Sequence, residues 1–255
     1  MTTGSDTEPL ILIVSGPSGS GKSTLVQKIL ELPGTMPSIS CTTRQRRATE
    51  SSGKCYAYVT EEEFDAMVSR GEFLEYARVF GKHSYGTPKK WLEEARSKNL
   101  DLVLEIDVQG AAQVKQKLPQ SVAIFILPPS REELERRLRR RAEADDDLQR
   151  KLLGDGARLF NTEDIIQRRL QTASREIENF SQYDYILIND RLEQSIDLLK
   201  SIVEAERLKR SGAVPTAKDE AMLSSARGAL RTQMLHQVQT ILATFDLSRL
   251  PAVTE

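Results

Sequence analysis

The chain has few of the cysteines that build disulfide frameworks, few histidines, and no excess of charge of one sign. Its 255 residues include two cysteines and two histidines, and its formal net charge is −1. Cys41 and Cys55 are too few for a disulfide framework, which suits a reducing compartment and two unreactive thiols. A charge near zero provides no general basic field, so recognition of anions must come from local clusters. We therefore expect no nucleic-acid partner.

Long apolar runs are also missing from the sequence. No segment approaches the roughly 20 apolar residues that span a bilayer. The opening residues, MTTGSDTEP, lack the basic start and apolar stretch of a secretory signal. We expect a flexible N-terminus over residues 1–9 and a cytoplasmic protein without a membrane partner. The isolated His83 indicates neither a metal site nor an acid–base catalyst.

Apolar runs alternate with helical patterns along much of the chain. The runs predict strands at 10–14, 100–106, 122–127 and 185–188, and the patterns between them predict helices at 91–98, 111–118 and 131–141. This alternation predicts an α/β fold, in which helices cover both faces of a parallel sheet. Ligands of such folds bind at the carboxyl ends of the strands, where Glu105 and Asp107 fall.

A glycine-rich turn follows the first predicted strand. Residues 12–24 read LIVSGPSGSGKST, which contains the phosphate-loop pattern GxxxxGK[ST] between a strand and a helix. Such a loop points backbone amides at phosphates, and its lysine and serine serve the phosphates and Mg²⁺. A chance glycine-rich turn is the alternative, which the flanking strand and helix disfavour. We expect a nucleoside triphosphate to bind at Gly16, Pro17, Ser18, Gly19, Ser20, Gly21, Lys22, Ser23 and Thr24.

Three segments depart from the alternation. Residues 35–90 are rich in Thr, Ser, Arg and Tyr, which predicts an inserted subdomain that clamps a substrate. Residues 142–160 combine an acidic run with two glycines, which predicts a longer loop or a broken helix. Beyond a linker near 211, residues 234–245 have helical periodicity, which predicts one amphipathic helix. That helix packs on its own domain or on a second subunit, giving a homo-oligomer, or less plausibly serves a dedicated binding function.

Further motifs carry a family resemblance. In chain order, these motifs are SCTTRQRR at 40–47, YAYV at 56–59, GEFLE at 71–75, YGT at 85–87 and EIDVQG at 105–110. Together with LPPS at 127–130, the arginine-rich 136–141 and the segment 183–190, they closely resemble the motifs of guanylate kinase over residues 10–208.

The resemblance implies a domain organisation. It implies a P-loop NTPase-type parallel sheet flanked by helices, with a core at 10–34, 91–136 and 171–208. A GMP-binding subdomain at 35–90 and a helical lid at 137–170 are inserted into this core, and the lid has an insertion near 142–160. Residues 209–255, the C-terminal linker and helix, lie outside the resemblance.

The resemblance also implies an ATP:GMP phosphotransferase that uses Mg²⁺ and forms ADP and GDP. Arginine forks and tyrosine hydroxyls suit a phosphate, and a glutamate can accept from the guanine N1–H and amine, which adenine lacks. The implied GMP-binding residues are Ser40, Arg44, Arg47, Tyr56, Glu75, Tyr85, Thr87, Glu105 and Asp107. The implied catalytic residues are Lys22, Arg44, Arg137, Arg141 and Arg169, with Asn189 and Asp190 beside ATP and Ser23 and Asp107 at the metal.

Some alternatives stay open at this stage. Glu105 contacts either GMP or the metal shell, and the lid insertion weakens the assignment of Arg141. A noncatalytic guanylate-kinase-like interaction module is one rival function, although such modules typically lack an intact phosphate loop like the one around Lys22. A kinase for another nucleoside monophosphate is the second rival, and Ser40 and Glu75 favour GMP over it.

Overall fold

The computed structural model describes residues 8–46, 56–79, 83–153 and 162–247. Of the N-terminus that was predicted to be flexible over residues 1–9, residues 1–7 lie outside these ranges, as do the glycines of the lid insertion. In chain order the elements are β1 (Ile11–Ser15), α1 (Lys22–Ile29), β2 (Thr35–Pro37), β3 (Cys41–Thr42), β4 (Ala57–Tyr58), α2 (Glu61–Ser69), β5 (Phe73–Val79), β6 (His83–Pro88), α3 (Lys90–Lys98), β7 (Asp101–Glu105), α4 (Val108–Lys117), β8 (Val122–Leu127), α5 (Arg131–Leu153), α6 (Thr162–Ile177), a 3-10 helix (Glu178–Gln182), β9 (Tyr185–Ile188), α7 (Leu192–Ser211), α8 (Glu220–Gly228) and α9 (Arg231–Thr244).

The main sheet is parallel and has the strand order β2-β7-β1-β8-β9. Every residue of β1 and β8 is buried, as expected for strands that are covered on both faces. Alternate residues of β1 enter two different cores: Ile13 packs in a cluster with α3, α4, α5, α6 and α9, and Leu12 packs in a cluster with α1, α7 and α8. The predicted α/β fold is confirmed.

The register of the main sheet places two loops side by side. β1 and β7 are neighbours, and Val14 pairs with Glu105. The phosphate loop that follows β1 and the acidic segment that follows β7 therefore leave the sheet at the same edge.

A smaller sheet with the order β4-β3-β6-β5 forms a separate layer. Its own core contains Cys41, Phe64 and Phe73, and the two phenyl rings stack with centroids 4.6 Å apart. The predicted start of this subdomain at residue 35 is wrong, because β2 pairs with β7 in the main sheet and buries Met36 there.

The lid helices differ from expectation. α5 continues without a break to Leu153, so the loop or broken helix predicted from residue 142 is wrong as far as 153. The stretch is rich in Ala, Leu, Gln, Arg and Lys, which favour helix, and its acidic and basic residues recur four positions apart. α6 crosses the predicted lid boundary at 170 and buries Ala173 and Ile177 in the main core.

The C-terminal segment forms two helices, so the prediction of one helix is wrong. α8 packs beside α7, and the turn after it meets the edge of the main sheet, where the amide of Ile186 donates to the carbonyl of Ala229 at 2.9 Å. α9 buries Met234, Val238 and Leu242 in the core next to α5. Packing on its own domain is thus confirmed, whereas a homo-oligomer stays a prediction. None of the helices in the described ranges is both long and apolar enough to cross a membrane.

Candidate active site

Two glycines allow the phosphate loop to pack closely against its neighbours. Gly16 and Gly21 have φ of 141° and 94°, which L side chains rarely adopt. A Cβ atom on Gly16 would collide with the carbonyl oxygen of Ile126, and one on Gly21 would collide with the side-chain amide of Asn189. The loop therefore lies directly against the main sheet before α1 begins at Lys22.

Asn189 supports this loop from behind. Its side-chain nitrogen donates to the carbonyl of Ser20 at 2.8 Å, and its own carbonyl accepts from Nη2 of Arg137 at 2.8 Å. Asn189 is 6% exposed, and Asp190 beside it is exposed to solvent. Neither residue lines the cavity described below, so their predicted contacts with ATP stay predictions.

The ammonium group of Lys22 folds back over its own loop. Its Nζ donates to the carbonyls of Gly16 at 2.5 Å and of Pro17 at 3.0 Å. Burial lowers the pKa of Lys22, and the carboxylates of Glu176, Glu105 and Asp107 oppose that effect. The ammonium group of Lys22 is thus the positive charge that a phosphate can pair with when a nucleotide enters.

Two carboxylates stand at the end of β7. Glu105 accepts a hydrogen bond from the hydroxyl of Ser23, with Oγ and Oε1 2.6 Å apart. Asp107 caps α4, because its Oδ1 accepts from the amide of Gly110 at 2.9 Å. The predicted metal ligands Ser23 and Asp107 therefore offer oxygen donors close to the phosphate loop, and so does Glu105, which was predicted to contact either GMP or the metal shell.

A buried carboxyl group faces the cavity from the smaller sheet. Glu75 is 4% exposed, and its Oε1 accepts from the hydroxyl of Thr87 at 2.6 Å. The hydroxyl of Ser40 lies 3.0 Å from that of Thr87, which connects the three side chains. Burial raises the pKa of Glu75 to about 7. A Cβ atom on Gly110 would lie 2.6 Å from Oε2 of Glu75, so that glycine makes room for the carboxyl group.

Arg44 lies among the tyrosines of the smaller sheet. Its Nε donates to the hydroxyl of Tyr85 at 3.2 Å, and its guanidinium carbon lies 5.7 Å from the ring centre of Tyr56. A cation next to two phenol groups suits an anion such as a phosphate. Arg47, which was predicted to complete the group, lies outside the described residues.

Three lid arginines, Arg137, Arg141 and Arg169, line the same cavity as the phosphate loop. Arg137 donates from Nε to Glu133 at 2.6 Å, and hydrogen bonds from Arg136 and Arg137 lower the pKa of Glu133 to about 2. Arg141 and Arg169 come from α5 and α6. Three arginines from two helices therefore face the phosphate loop.

One cavity of about 490 Å³ brings most of these groups together. Besides Asn189 and Asp190, four described residues of the predicted site do not line it: Pro17, Ser20, Arg44 and Thr87. Arg44 and Thr87 form hydrogen bonds with Tyr85 and Glu75, which do line it, and Pro17 and Ser20 belong to the phosphate loop. The predicted site residues that line the cavity are Gly16, Ser18, Gly19, Gly21, Lys22, Ser23, Thr24, Ser40, Tyr56, Glu75, Tyr85, Glu105, Asp107, Arg137, Arg141 and Arg169.

Sequence reasoning missed four residues of the cavity wall. Two of them are Ala77 and Ile106, and the other two are Thr172 and Glu176. Thr172 and Glu176 are on α6, three and seven positions after Arg169. Residues at this spacing share one face of a helix, so the periodicity of the lid could have identified them.

The fold and this cavity define a class of protein. A parallel sheet that carries a phosphate loop, a smaller sheet with a buried carboxyl group and helices that carry arginines are the parts of a P-loop kinase that phosphorylates a small acceptor.

Comparison with known proteins specifies the family. The family model described as guanylate kinase matches residues 8–206. The chain is 48% identical over 236 residues to a guanylate kinase of Koribacter versatilis, which covers 92% of this chain and 95% of that one. It is 42% identical over 218 residues to a guanylate kinase of Vibrio cholerae, covering 84% and 96% respectively. The chain belongs to the guanylate kinase family.

A solved structure agrees with this assignment. The crystal structure of guanylate kinase from Anaplasma phagocytophilum superimposes with a TM-score of 0.61 and has 34% sequence identity. The match covers 79% of this chain and 88% of that chain.

Proposed function

We propose that this chain transfers the γ-phosphoryl group of ATP to GMP, forming ADP and GDP. The observation that carries the proposal is a single cavity that is lined both by the phosphate loop and by the buried Glu75. Membership of the guanylate kinase family supports the same reaction.

The donor ATP binds at the phosphate loop in this proposal. The loop amides and the N-terminus of α1 hold the phosphates. Lys22 exchanges the carbonyls of Gly16 and Pro17 for phosphate oxygens and stabilises the charge that develops during transfer. Phosphoryl transfer depends mainly on such positioning and charge stabilisation, so no general base is required.

The residues present fit a Mg²⁺ ion that enters with ATP. Ser23, Glu105 and Asp107 supply hydroxyl and carboxylate oxygens, which are the donors that Mg²⁺ prefers, and phosphates commonly complete its shell. Within the described part of the chain, no three Asp, Glu, His or Cys side chains are placed to hold a metal by themselves. When bound, the ion would neutralise charge on the phosphates.

The acceptor GMP binds between the smaller sheet and α4. The carboxylate of Glu75 accepts from the guanine N1–H and amine, while Thr87 and Ser40 fix its orientation. Arg44, Tyr56 and Tyr85 hold the GMP phosphate with charged and neutral hydrogen bonds. This arrangement directs the acceptor phosphate toward the phosphate loop.

The arginines of α5 and α6 surround the transferred group. Arg137 is already oriented by Glu133 and Asn189, so little rotamer entropy remains to be lost when it binds a phosphate. Arg141 and Arg169 contribute further charge from the same wall of the cavity. Their approach also excludes water from the reacting phosphate.

The Lys22→Met variant tests this proposal against a noncatalytic interaction module. Lys28→Met is the matched control, because Lys28 lies on the same helix with its side chain exposed and paired to Glu31. With Mg-ATP and GMP, we expect wild type and Lys28→Met to release ADP at equal rates. Lys22→Met should be slower by at least about 100-fold. Absence of GMP-dependent ADP release from the wild type, or full activity of Lys22→Met, would contradict the proposal.

A further inference from the structure

The strand β5, which contains Glu75, lies at one edge of the smaller sheet. An edge strand has a row of backbone N–H and C=O groups that no neighbouring strand satisfies. Beside this strand lies α4, which belongs to the main core because it buries Ala111 and Val114 there. The contacts between β5 and α4 therefore join the smaller sheet to the main core next to Glu75.

Gln113 of α4 pairs with the backbone of Tyr76, the residue that follows Glu75. Its Nε2 donates to the carbonyl of Tyr76 at 2.7 Å, and its Oε1 accepts from the amide of Tyr76 at 3.2 Å. A glutamine side chain has both an N–H donor and a carbonyl acceptor, so it can satisfy both backbone groups of one residue. Gln113 thus takes the place that a neighbouring strand would have beside β5.

Two further residues of α4 act on the same stretch of β5. Lys117 donates from Nζ to the carbonyl of Leu74, the residue that precedes Glu75. Gly110 leaves room for the carboxyl group, because a Cβ atom there would lie 2.6 Å from Oε2 of Glu75. Positions 110, 113 and 117 are three and four apart, so they share one face of the helix. Side chains of α4 therefore hold the backbone on both sides of Glu75.

We propose that Gln113 is a positioning residue that determines specificity for guanine by fixing the backbone of β5 beside Glu75. The inference rests on the proposed function, because it gives Gln113 a part in reading the acceptor of that reaction. α4 begins directly after Asp107, whose Oδ1 accepts from the amide of Gly110. The helix thus links β5 to the acidic segment after β7. A shift of β5 along α4 moves the carboxyl group of Glu75 away from the guanine edge.

The test compares Gln113→Met and Gln113→Glu with the control Gln116→Met. Methionine keeps the length of the side chain and removes both hydrogen bonds to Tyr76, whereas glutamate keeps the acceptor and loses the donor. Gln116 is exposed on the same helix. Because all of these residues are good helix formers, we expect every variant to fold with a Tm close to that of the wild type.

The expected effect of Gln113→Met is confined to the acceptor. KM for GMP should rise about 5- to 30-fold, since two hydrogen bonds that hold β5 are lost, and KM for ATP should stay within about two-fold of wild type. Inosine monophosphate (IMP) lacks the exocyclic amine of GMP. The ratio of kcat/KM for GMP to that for IMP should fall about five-fold or more, because a displaced carboxylate no longer meets both guanine donors.

The other variants separate positioning from stability. Gln113→Glu should show the same changes as Gln113→Met, because its carboxylate cannot donate to the carbonyl of Tyr76. Gln116→Met should match the wild type in both KM values and in the ratio. A glutamine that only stabilises the fold would leave the ratio of GMP to IMP unchanged.

Two results would overturn the inference. One is a wild-type ratio of GMP to IMP in both Gln113 variants. The other is an equal loss of activity toward both nucleotides together with a lower Tm, which would assign Gln113 a structural role only. The dissociation constants of GMP and IMP, measured by calorimetry, report the same discrimination without turnover. They therefore test Gln113 even if the wild type binds GMP without phosphorylating it, in which case only the proposed function is refuted.

Discussion

At the scale of a single residue, we propose that Glu75 recognises the guanine ring of the acceptor. Its pKa is about 7 because burial disfavours the charged form, and a guanine ring requires that charged form as an acceptor. We therefore predict that kcat/KM for GMP rises as pH increases through about 7. Below that pH the protonated carboxyl group loses an acceptor position.

A pH profile of kcat/KM in wild type and Glu75→Gln checks this prediction. The variant should be slower and should lose the rise near neutral pH, because an amide does not ionise there. A wild-type profile that stays flat between about pH 6 and about pH 8 would contradict it.

Gly110 is the residue that gives Glu75 its space. A Cβ atom there would lie 2.6 Å from Oε2 of Glu75, so Gly110→Ala must displace the carboxyl group. Because small displacements of a binding group are costly, kcat/KM for GMP should fall about 10- to 100-fold, with KM for ATP unchanged.

Gly228→Ala is the matched control for this substitution. Gly228 is also helical, and a Cβ atom there meets nothing within 4 Å. Both alanines should improve helix propensity. Equal GMP kinetics in the two variants would show that Gly110 does not position Glu75.

At the scale of elements, α9 belongs to the main core. Leu242 is 4% exposed there, and Thr244 at the end of α9 accepts a hydrogen bond from the amide of Arg131 at the start of α5. We predict that Leu242→Ala lowers the free energy of unfolding by about 2–5 kcal/mol, measured by urea denaturation. Gln239→Ala, on the exposed face of α9, should change it little. Equal free energies of unfolding of the two variants would show that α9 does not contribute to the core.

The sequence predicts elements well where their signal is local. The apolar run of β8 predicts its bounds at Val122–Leu127, and the phosphate-loop pattern predicts the turn before α1. α8 was missed because its apolar residues are few and it is held mainly by packing against α7.

Long-range contacts account for what the sequence could not predict in the site. Asn189 reaches Ser20 across 169 residues, and no local pattern distinguishes this support from a contact with ATP. Nothing in the sequence around Glu75 distinguishes it from an ordinary surface acid, and only the family resemblance identified it. Its burial depends on Thr87 and Gly110, which two other elements contribute.

At the scale of the whole molecule, the parallel sheet assembles the site from separate segments. The loop after β1, the acids after β7 and the lid helices after β8 all meet at the carboxyl ends of the strands. Ser23, Glu105 and Asp107 offer oxygen donors in the same cavity as the phosphate loop, and phosphates commonly complete the shell of Mg²⁺, so we expect the cation to enter with ATP.

Removal of the metal tests that expectation. EDTA should abolish ADP release and leave the Tm of the nucleotide-free protein unchanged, because the proposed Mg²⁺ ion binds together with ATP. Added Mg²⁺ should restore turnover. A marked fall in Tm with EDTA alone would point instead to a resident metal ion.

The ratio of kcat/KM for GMP to that for AMP, CMP and UMP tests most directly whether the cavity is a GMP site. A buried carboxylate that accepts from guanine should favour GMP over AMP by at least about 10³-fold. In Glu75→Gln the ratio should fall steeply. Comparable rates with GMP and another monophosphate in the wild type would contradict the assignment of Glu75 and the proposed acceptor.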